Sequence, residues 1–146
     1  MKLPTEIFRT YDIRGVVETS LTPAVTREIG RALGSLGVER KAPRFAVCRD
    51  GRLSGPELVA ALTEGLLAAG ADVIDIGMGP TPLAYFAAYH LNCGSCVAVS
   101  GSHNPPEYNG LKMVVAGETL YGDDIQGLRS RIEKNARLGH VAVASL

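Results

Sequence analysis

Apolar residues recur along the chain in two alternating patterns, one typical of helices and one of buried strands. The first helical pattern follows Thr22, which we predict to cap a helix with Pro23 in its first turn and Gly37 at its end. Ser54 begins a capping-box sequence with Glu57, which predicts a second helix. The helical apolar positions in these two segments are Val25, Ile29, Leu33 and Leu36, followed by Leu58, Leu62, Leu66 and Ala69.

Short apolar runs between the helical segments predict strands over residues 44–49, 72–76, 96–99 and 111–115. A further helix is predicted over 83–91, and a last one after Asp123 and Asp124, with Ile125, Leu128 and Ile132 on one face. Strands that alternate with helices are typical of βαβ units, so we expect a three-layer α/β/α fold with a mostly parallel, mixed sheet of about four strands. The fourth strand follows the third after a turn without a helix, and we expect it to lie antiparallel at an edge.

The 146 residues are about the size of one domain. We place that domain at residues 1–136, because the helical pattern weakens after Lys134. Residues 137–146 are expected to be a linker or the start of a second domain, with the closing V-A-V-A-S-L forming a short strand.

Composition excludes several classes of protein. A hydrophobic content of 46% argues against disorder, and a net charge of zero gives no electrostatic reason to expect nucleic acid or a membrane as a partner. The first twenty residues hold no apolar signal core, and the longest apolar stretch, over 58–76, is interrupted by three carboxylates. We therefore predict a cytoplasmic protein.

The three cysteines are Cys48, Cys93 and Cys96, and the last two form a C-x-x-C sequence. This motif has three interpretations, namely a redox pair, half of a zinc site, or reduced cysteines buried for packing. A second C-x-x-C is absent from the sequence, and the motif precedes an apolar run instead of opening a helix. Packing is the interpretation we favour.

Polar loops follow three of the predicted strands, at residues 50–52, 77–81 and 100–105. In open parallel sheets the loops at the carboxyl ends of the strands bind ligands, so we expect a shared rim there. Cationic side chains that would converge on this rim are Arg14, Arg49, Arg52, His103 and Lys112. Such a patch on a neutral protein suits a phosphorylated small molecule.

Ser102 lies in the last of these loops, within G-S-H-N-P. Gly, Ser, Asn and Pro form turns, so the segment has a purely structural interpretation as a turn between strands. The functional interpretation is a serine that carries a phosphoryl group, since phosphoryl transfer needs mainly positioning and positive charge. The G-x-S-x-G elbow of serine hydrolases is absent, which argues against acyl transfer.

The segment from Gly101 to Met113, G-S-H-N-P-P-E-Y-N-G-L-K-M, resembles the phosphoserine loop of the α-D-phosphohexomutases of the phosphomannomutase/phosphoglucomutase family. F-R-T-Y-D-I-R-G over 8–15, R-D-G-R over 49–52 and G-P-T-P over 79–82 resemble other motifs of that family, in the same order. The resemblance implies the first, phosphoserine-bearing domain of an enzyme that interconverts hexose 1-phosphate and hexose 6-phosphate.

The resemblance also implies roles for individual residues. Ser102 would carry the phosphoryl group, and Lys112 would act as general acid or base with assistance from Arg14. Binding of substrate and phosphate is expected from Tyr11, His103, Asn104 and Arg49. A Mg²⁺ ion would contact the phosphate of Ser102, with its other ligands in another domain, and hexose 1,6-bisphosphate would be the activator.

Two alternatives stay open beside this interpretation. One is phosphoglucosamine mutase, although members of that group more often show S-A-S-H-N-P in the phosphoserine loop. The other is a non-catalytic fragment that binds phosphate. The partners we expect are a phosphohexose substrate and the remaining domains of the same enzyme. Because the metal loop and the sugar-recognition loops belong to those domains, we expect this chain alone to be inactive or nearly so.

Overall fold

The computed structural model describes residues 3–145, with side chains described over residues 3–135. A 3₁₀ turn at Thr5–Ile7 precedes the regular elements. The strands are β1 (Ile13–Val16), β2 (Arg44–Arg49), β3 (Asp72–Met78), β4 (Gly94–Val99), β5 (Tyr108–Val115) and β6 (Glu118–Thr119). The helices are α1 (Pro23–Glu39), α2 (Gly55–Ala68), α3 (Thr81–His90) and α4 (Asp123–Ser145).

The strands form one mixed sheet in the order β1-β5-β4-β2-β3, with β6 paired to β5. β2 runs parallel to β3 and β4, whereas β5 runs antiparallel to β4 and β1. The expected α/β/α class is confirmed, as is the antiparallel direction of the fourth predicted strand. Its expected place at an edge is wrong, because β1, which the sequence did not predict as a strand, pairs with its other side.

Side chains of alternate residues divide the core between the two faces of the sheet. On one face, Phe45, Val47, Val97 and Val99 pack against α1, α2 and α4 in the larger hydrophobic cluster. On the other face, a smaller cluster lies under α3 and contains Ala46, Cys48, Cys96 and Ala98. Small residues let α3 approach the sheet closely and leave the face of β5 beyond it available for a site.

Of the two N-terminal helix caps predicted from the sequence, one is confirmed and one is wrong. Thr22 caps α1 as predicted, since its hydroxyl oxygen accepts a hydrogen bond from the Val25 amide at 3.2 Å. The predicted capping box at α2 is wrong, because the Ser54 side chain makes no cap hydrogen bond. Its hydroxyl instead accepts a hydrogen bond of 2.9 Å from Nδ2 of the buried Asn109, which ties the start of α2 to β5.

The backbone of α4 continues through Ser145, so the strand expected at the end of the sequence is wrong. The alternation V-A-V-A is short and rich in alanine, which has the highest helix propensity, and this favours continuation of the helix. The domain boundary at residue 136 stays a prediction. Within the described residues, no helix has the length and apolar character that a bilayer crossing requires.

Candidate active site

The loop between β4 and β5 holds Ser102 in an uncommon backbone conformation. Ser102 has φ of 56°, in the left-handed region that residues with a Cβ seldom occupy, and its side chain is exposed. Such a conformation costs about 1–3 kcal/mol and persists only where the surroundings impose it. Two hydrogen bonds turn the chain here: the Ser102 amide donates to Ser100 Oγ, and the Asn104 amide donates to the Gly101 carbonyl.

Arg52 holds this loop through its carbonyl groups. Nη1 donates to the carbonyls of Pro105 and Tyr108 at 2.6 and 3.2 Å, and Nη2 donates to those of Ser102 and Asn104 at 3.1 and 2.6 Å. Since each of these nitrogens carries two N–H groups, both are fully used within the protein. The expectation that Arg52 is one of the cations that bind a phosphate is therefore wrong.

Asp50 completes the support of the loop from the end of β2. Its Oδ2 accepts a hydrogen bond of 2.9 Å from the Gly101 amide and lies 3.4 Å from Nε of Arg52. Its Oδ1 accepts from the Arg52 amide at 3.2 Å. The sequence contains both residues in its R-D-G-R motif, but their partners lie about fifty positions away, and nothing in the local pattern indicates the pairing.

Arg14 and Lys112 lie on the same face of the sheet. Arg14 on β1 is paired with Gly110 on β5, and Lys112 is two residues further along β5, where side chains point to the same side. Both line a cleft of about 650 Å³ together with Tyr11, Asp12 and Arg9. The structure therefore brings together three of the residues predicted from the sequence, namely Tyr11, Arg14 and Lys112.

A hydrogen bond joins this cleft to the loop of Ser102. Nη1 of Arg14 donates to Oδ1 of Asn104 at 2.5 Å, and Nη2 donates to Oδ2 of Asp12 at 2.6 Å. Nε of Arg14 is buried without a hydrogen-bond partner among the described residues. The Arg14 side chain is only 20% exposed, so these contacts fix its guanidinium between the cleft and the loop.

The remaining predicted residues take different positions. His103 is exposed beside Ser102 on the loop, and Tyr11 is 74% exposed at the cleft. Arg49 lies apart from them, lining a separate cleft beside α2 with Glu64 and Asp75. The structure therefore does not bring Arg49 to the cleft of Arg14 and Lys112. A further cleft of about 680 Å³, next to α3, is lined by Tyr85, Tyr89 and Asn92 among others.

The three cysteines are free and buried. Burial raises the pKa of the Cys96 thiol to about 12 and also raises the pKa of Cys48, so both stay protonated near neutral pH. A thiol without thiolate character is a poor redox group or metal ligand. These observations support the interpretation of the C-x-x-C sequence as packing.

We expect the chain to lose stability at alkaline pH through Cys96. The unfolded chain releases the thiol proton above a pKa of 9.0, whereas the folded chain keeps it up to about 12, so the free energy of unfolding falls between these values. Urea unfolding at about pH 7 and pH 10 should show a loss greater in the wild type than in Cys96→Ala by about 1 kcal/mol. Equal losses in the two proteins would contradict this role of the buried thiol.

Comparison with known proteins identifies the family. The family model described as phosphoglucomutase/phosphomannomutase, alpha/beta/alpha domain I, matches residues 5–138. This chain belongs to the phosphoglucomutase/phosphomannomutase family. The part of the family that it matches is the first domain.

Relatives in this family are close in sequence and much longer. A phosphomannomutase/phosphoglucomutase of Pseudomonas aeruginosa is 59% identical over 133 residues, which are 91% of this chain and 29% of the relative. A phosphoglucomutase of Neisseria gonorrhoeae is 48% identical over 130 residues, 89% of this chain and 28% of the relative. The chain thus spans less than a third of these phosphohexomutases.

Solved structures of the family have the same fold. A phosphoglucomutase/phosphomannomutase family protein from Burkholderia thailandensis superposes with a TM-score of 0.87 at 51% identity, covering 92% of this chain and 31% of that protein. A structure described as a putative phosphomannomutase from Thermus thermophilus gives a TM-score of 0.76 at 30% identity, covering 84% of this chain and 29% of that protein.

Proposed function

We propose that the chain is the phosphoserine-bearing first domain of a phosphohexomutase that interconverts hexose 1-phosphate and hexose 6-phosphate. The observation that carries this proposal is the hydrogen bond between Arg14 and Asn104, which joins a cationic cleft to an exposed serine. A serine on a turn would need no such link if the loop were only a connection between strands. Membership of the family supports the same reaction.

In the proposed reaction, Ser102 starts as a phosphoester. A hydroxyl oxygen of the hexose phosphate forms a bond to phosphorus while the bond between phosphorus and Ser102 Oγ breaks, and the serine oxygen takes up a proton from solvent. The hydroxyl proton passes to Lys112, acting as general base. The bisphosphorylated sugar then reorients, and Ser102 Oγ forms a bond to its other phosphorus while the bond to the sugar oxygen breaks. The Ser102 proton returns to solvent, and Lys112 donates a proton to the departing sugar oxygen.

The positive charges near Ser102 suit the phosphoryl oxygens in this transfer. Arg14 is fixed by Asp12 and Asn104, so it presents its charge without having to reorganise when the phosphoryl group moves. Lys112 is half-buried on the strand next to it, at the same cleft. His103 and Asn104 would orient the phosphate on the loop, and the exposed ring of Tyr11 would contact the sugar.

Glucose and mannose phosphates are the substrates we propose, in preference to glucosamine phosphate. The relatives described above bear the names phosphomannomutase/phosphoglucomutase and phosphoglucomutase. Gly101 also favours this choice, because an added Cβ there would lie 1.8 Å from Nε of Arg52. The alanine that phosphoglucosamine mutases more often have at this position would not fit the loop as it is held here.

A bound Mg²⁺ ion does not fit the described part of this chain by itself. The described residues contain no group of three or more His, Cys, Asp or Glu side chains that could hold a metal ion. The cation would need several oxygen ligands besides a phosphate on Ser102. We therefore propose that Mg²⁺ binding, like mutase activity, needs residues from outside this chain, and we derive no step through the ion.

Phosphoryl labelling tests the proposal directly. The protein extended to its natural stop codon is incubated with hexose 1,6-bisphosphate carrying radiolabelled phosphate, and the label is located by peptide mapping. We expect about one phosphoryl group per chain, on the peptide that contains Ser102. Label on another residue, or no label with an active enzyme, would overturn the proposed role of this serine.

A further inference from the structure

Asp50 and Arg52 support the loop that carries Ser102, and the reaction proposed above gives neither residue a role. Arg52 donates to the carbonyls of Ser102 and Asn104, on both sides of His103, and Asp50 accepts from the Gly101 amide. The nucleophile and two of its neighbours, Gly101 and Asn104, are thus held by one ion pair at the end of β2. The Arg52 side chain is only 15% exposed, so water competes little for these bonds.

We propose that the Asp50–Arg52 pair is a positioning unit, which holds Ser102 in its left-handed backbone conformation for phosphoryl transfer. This inference rests on the proposed function and goes beyond it, because neither residue is expected to touch substrate. All four N–H groups of the two Arg52 terminal nitrogens already have carbonyl partners, so none remains for a phosphate.

The close approach of the Arg52 guanidinium to Gly101 supports the same conclusion. A Cβ at this residue would lie 1.8 Å from Nε and 2.0 Å from Cζ of Arg52, so the guanidinium packs directly on the backbone next to the nucleophile. This packing opposes relaxation of the loop and therefore keeps Ser102 in its unfavourable backbone conformation. Because phosphoryl transfer depends on the alignment of the attacking and leaving oxygens, a small shift of Ser102 would slow it strongly.

We expect Arg52→Ala, in the protein extended to its natural stop codon, to lower kcat of the mutase reaction by about 100-fold. KM for the hexose phosphate should stay within about threefold of wild type, because the side chain makes no substrate contact. Arg52→Lys should recover little activity, since an ammonium group cannot reproduce the planar fork on four carbonyls. Asp50→Asn, which keeps the size of the side chain, should lower kcat in the same way.

Guanidinium rescue separates positioning from a general loss of stability. Low millimolar guanidinium chloride should raise kcat of Arg52→Ala by occupying the vacated site, whereas a variant that had only lost stability would gain no activity, because this concentration is too low to change stability. Arg31→Ala, which removes an exposed arginine of α1 on an ion pair with Glu28, is the matched control and should behave as wild type.

Two outcomes would overturn the inference: kcat of Arg52→Ala within threefold of wild type, or a rise in KM with kcat unchanged. Ser102→Ala, assayed in parallel, distinguishes these failures from failure of the proposed function. If Ser102→Ala is inactive while Arg52→Ala is unaffected, only the positioning role is lost. If Ser102→Ala is itself active, the proposed mechanism is wrong.

Discussion

Replacing Ser102 by alanine is expected to abolish the mutase activity of the extended protein, with a fall of about three orders of magnitude or more. The hydroxyl oxygen is the atom that forms the phosphoester, and the other serine hydroxyl of the loop, that of Ser100, already accepts a hydrogen bond from the Ser102 amide. Activity is measured with glucose 1-phosphate and mannose 1-phosphate, in the presence of Mg²⁺ and a catalytic amount of hexose 1,6-bisphosphate.

The fold should survive this substitution, so the loss can be assigned to chemistry. The bonds that shape the loop at Ser102 involve its amide and its carbonyl, which alanine retains, and its side chain is exposed. Ser130→Ala, on the exposed side of α4, is the matched control and should keep full activity. Activity of Ser102→Ala near the wild-type level would mean that the loop is only a turn.

The hydrophobic pattern predicts the helices and the parallel strands well because their apolar residues recur at regular spacing on buried faces. It misses β1, since this strand of four residues includes the polar Arg14 and the small Gly15, and its pairing with β5 is not visible in the local sequence. It also misses the first residues of β5, where Tyr108, Asn109 and Gly110 are typical of turns. Antiparallel pairing with β1 extends that strand into the turn-forming sequence.

The candidate site was also predictable only in part from the sequence. The resemblance indicated Ser102, Lys112 and Arg14 because each lies within a distinctive motif, and the structure brings Arg14 and Lys112 to one cleft. It did not indicate the role of Arg52, whose four carbonyl partners lie 50 to 56 positions further along the chain. Every residue has a backbone carbonyl group, so hydrogen bonds from a side chain to carbonyls cannot be predicted from the types of the accepting residues.

The second large effect is expected on stability, for a substitution where α1 and α2 lie in close contact. Gly30 and Gly65 are buried where the two helices meet. A Cβ at Gly65 would lie 2.0 Å from the Arg27 carbonyl oxygen, and a Cβ at Gly30 would lie 2.4 Å from that of Leu62. Backbone atoms cannot turn aside as flexible side chains do, so the helices would have to move apart and lose packing against the sheet.

We expect Gly65→Ala to lower the free energy of unfolding by about 3 kcal/mol, the upper part of the range for overpacked cores. This is opposite in sign to the usual effect of alanine in a helix, which stabilises by about 1 kcal/mol over glycine. Gly127→Ala on α4 provides the matched control, because nothing lies within 4 Å of an added Cβ there. That variant should gain up to about 1 kcal/mol in urea unfolding. If both variants were stabilised, α1 and α2 could not approach each other as closely as described, since helix propensity alone would then decide the sign.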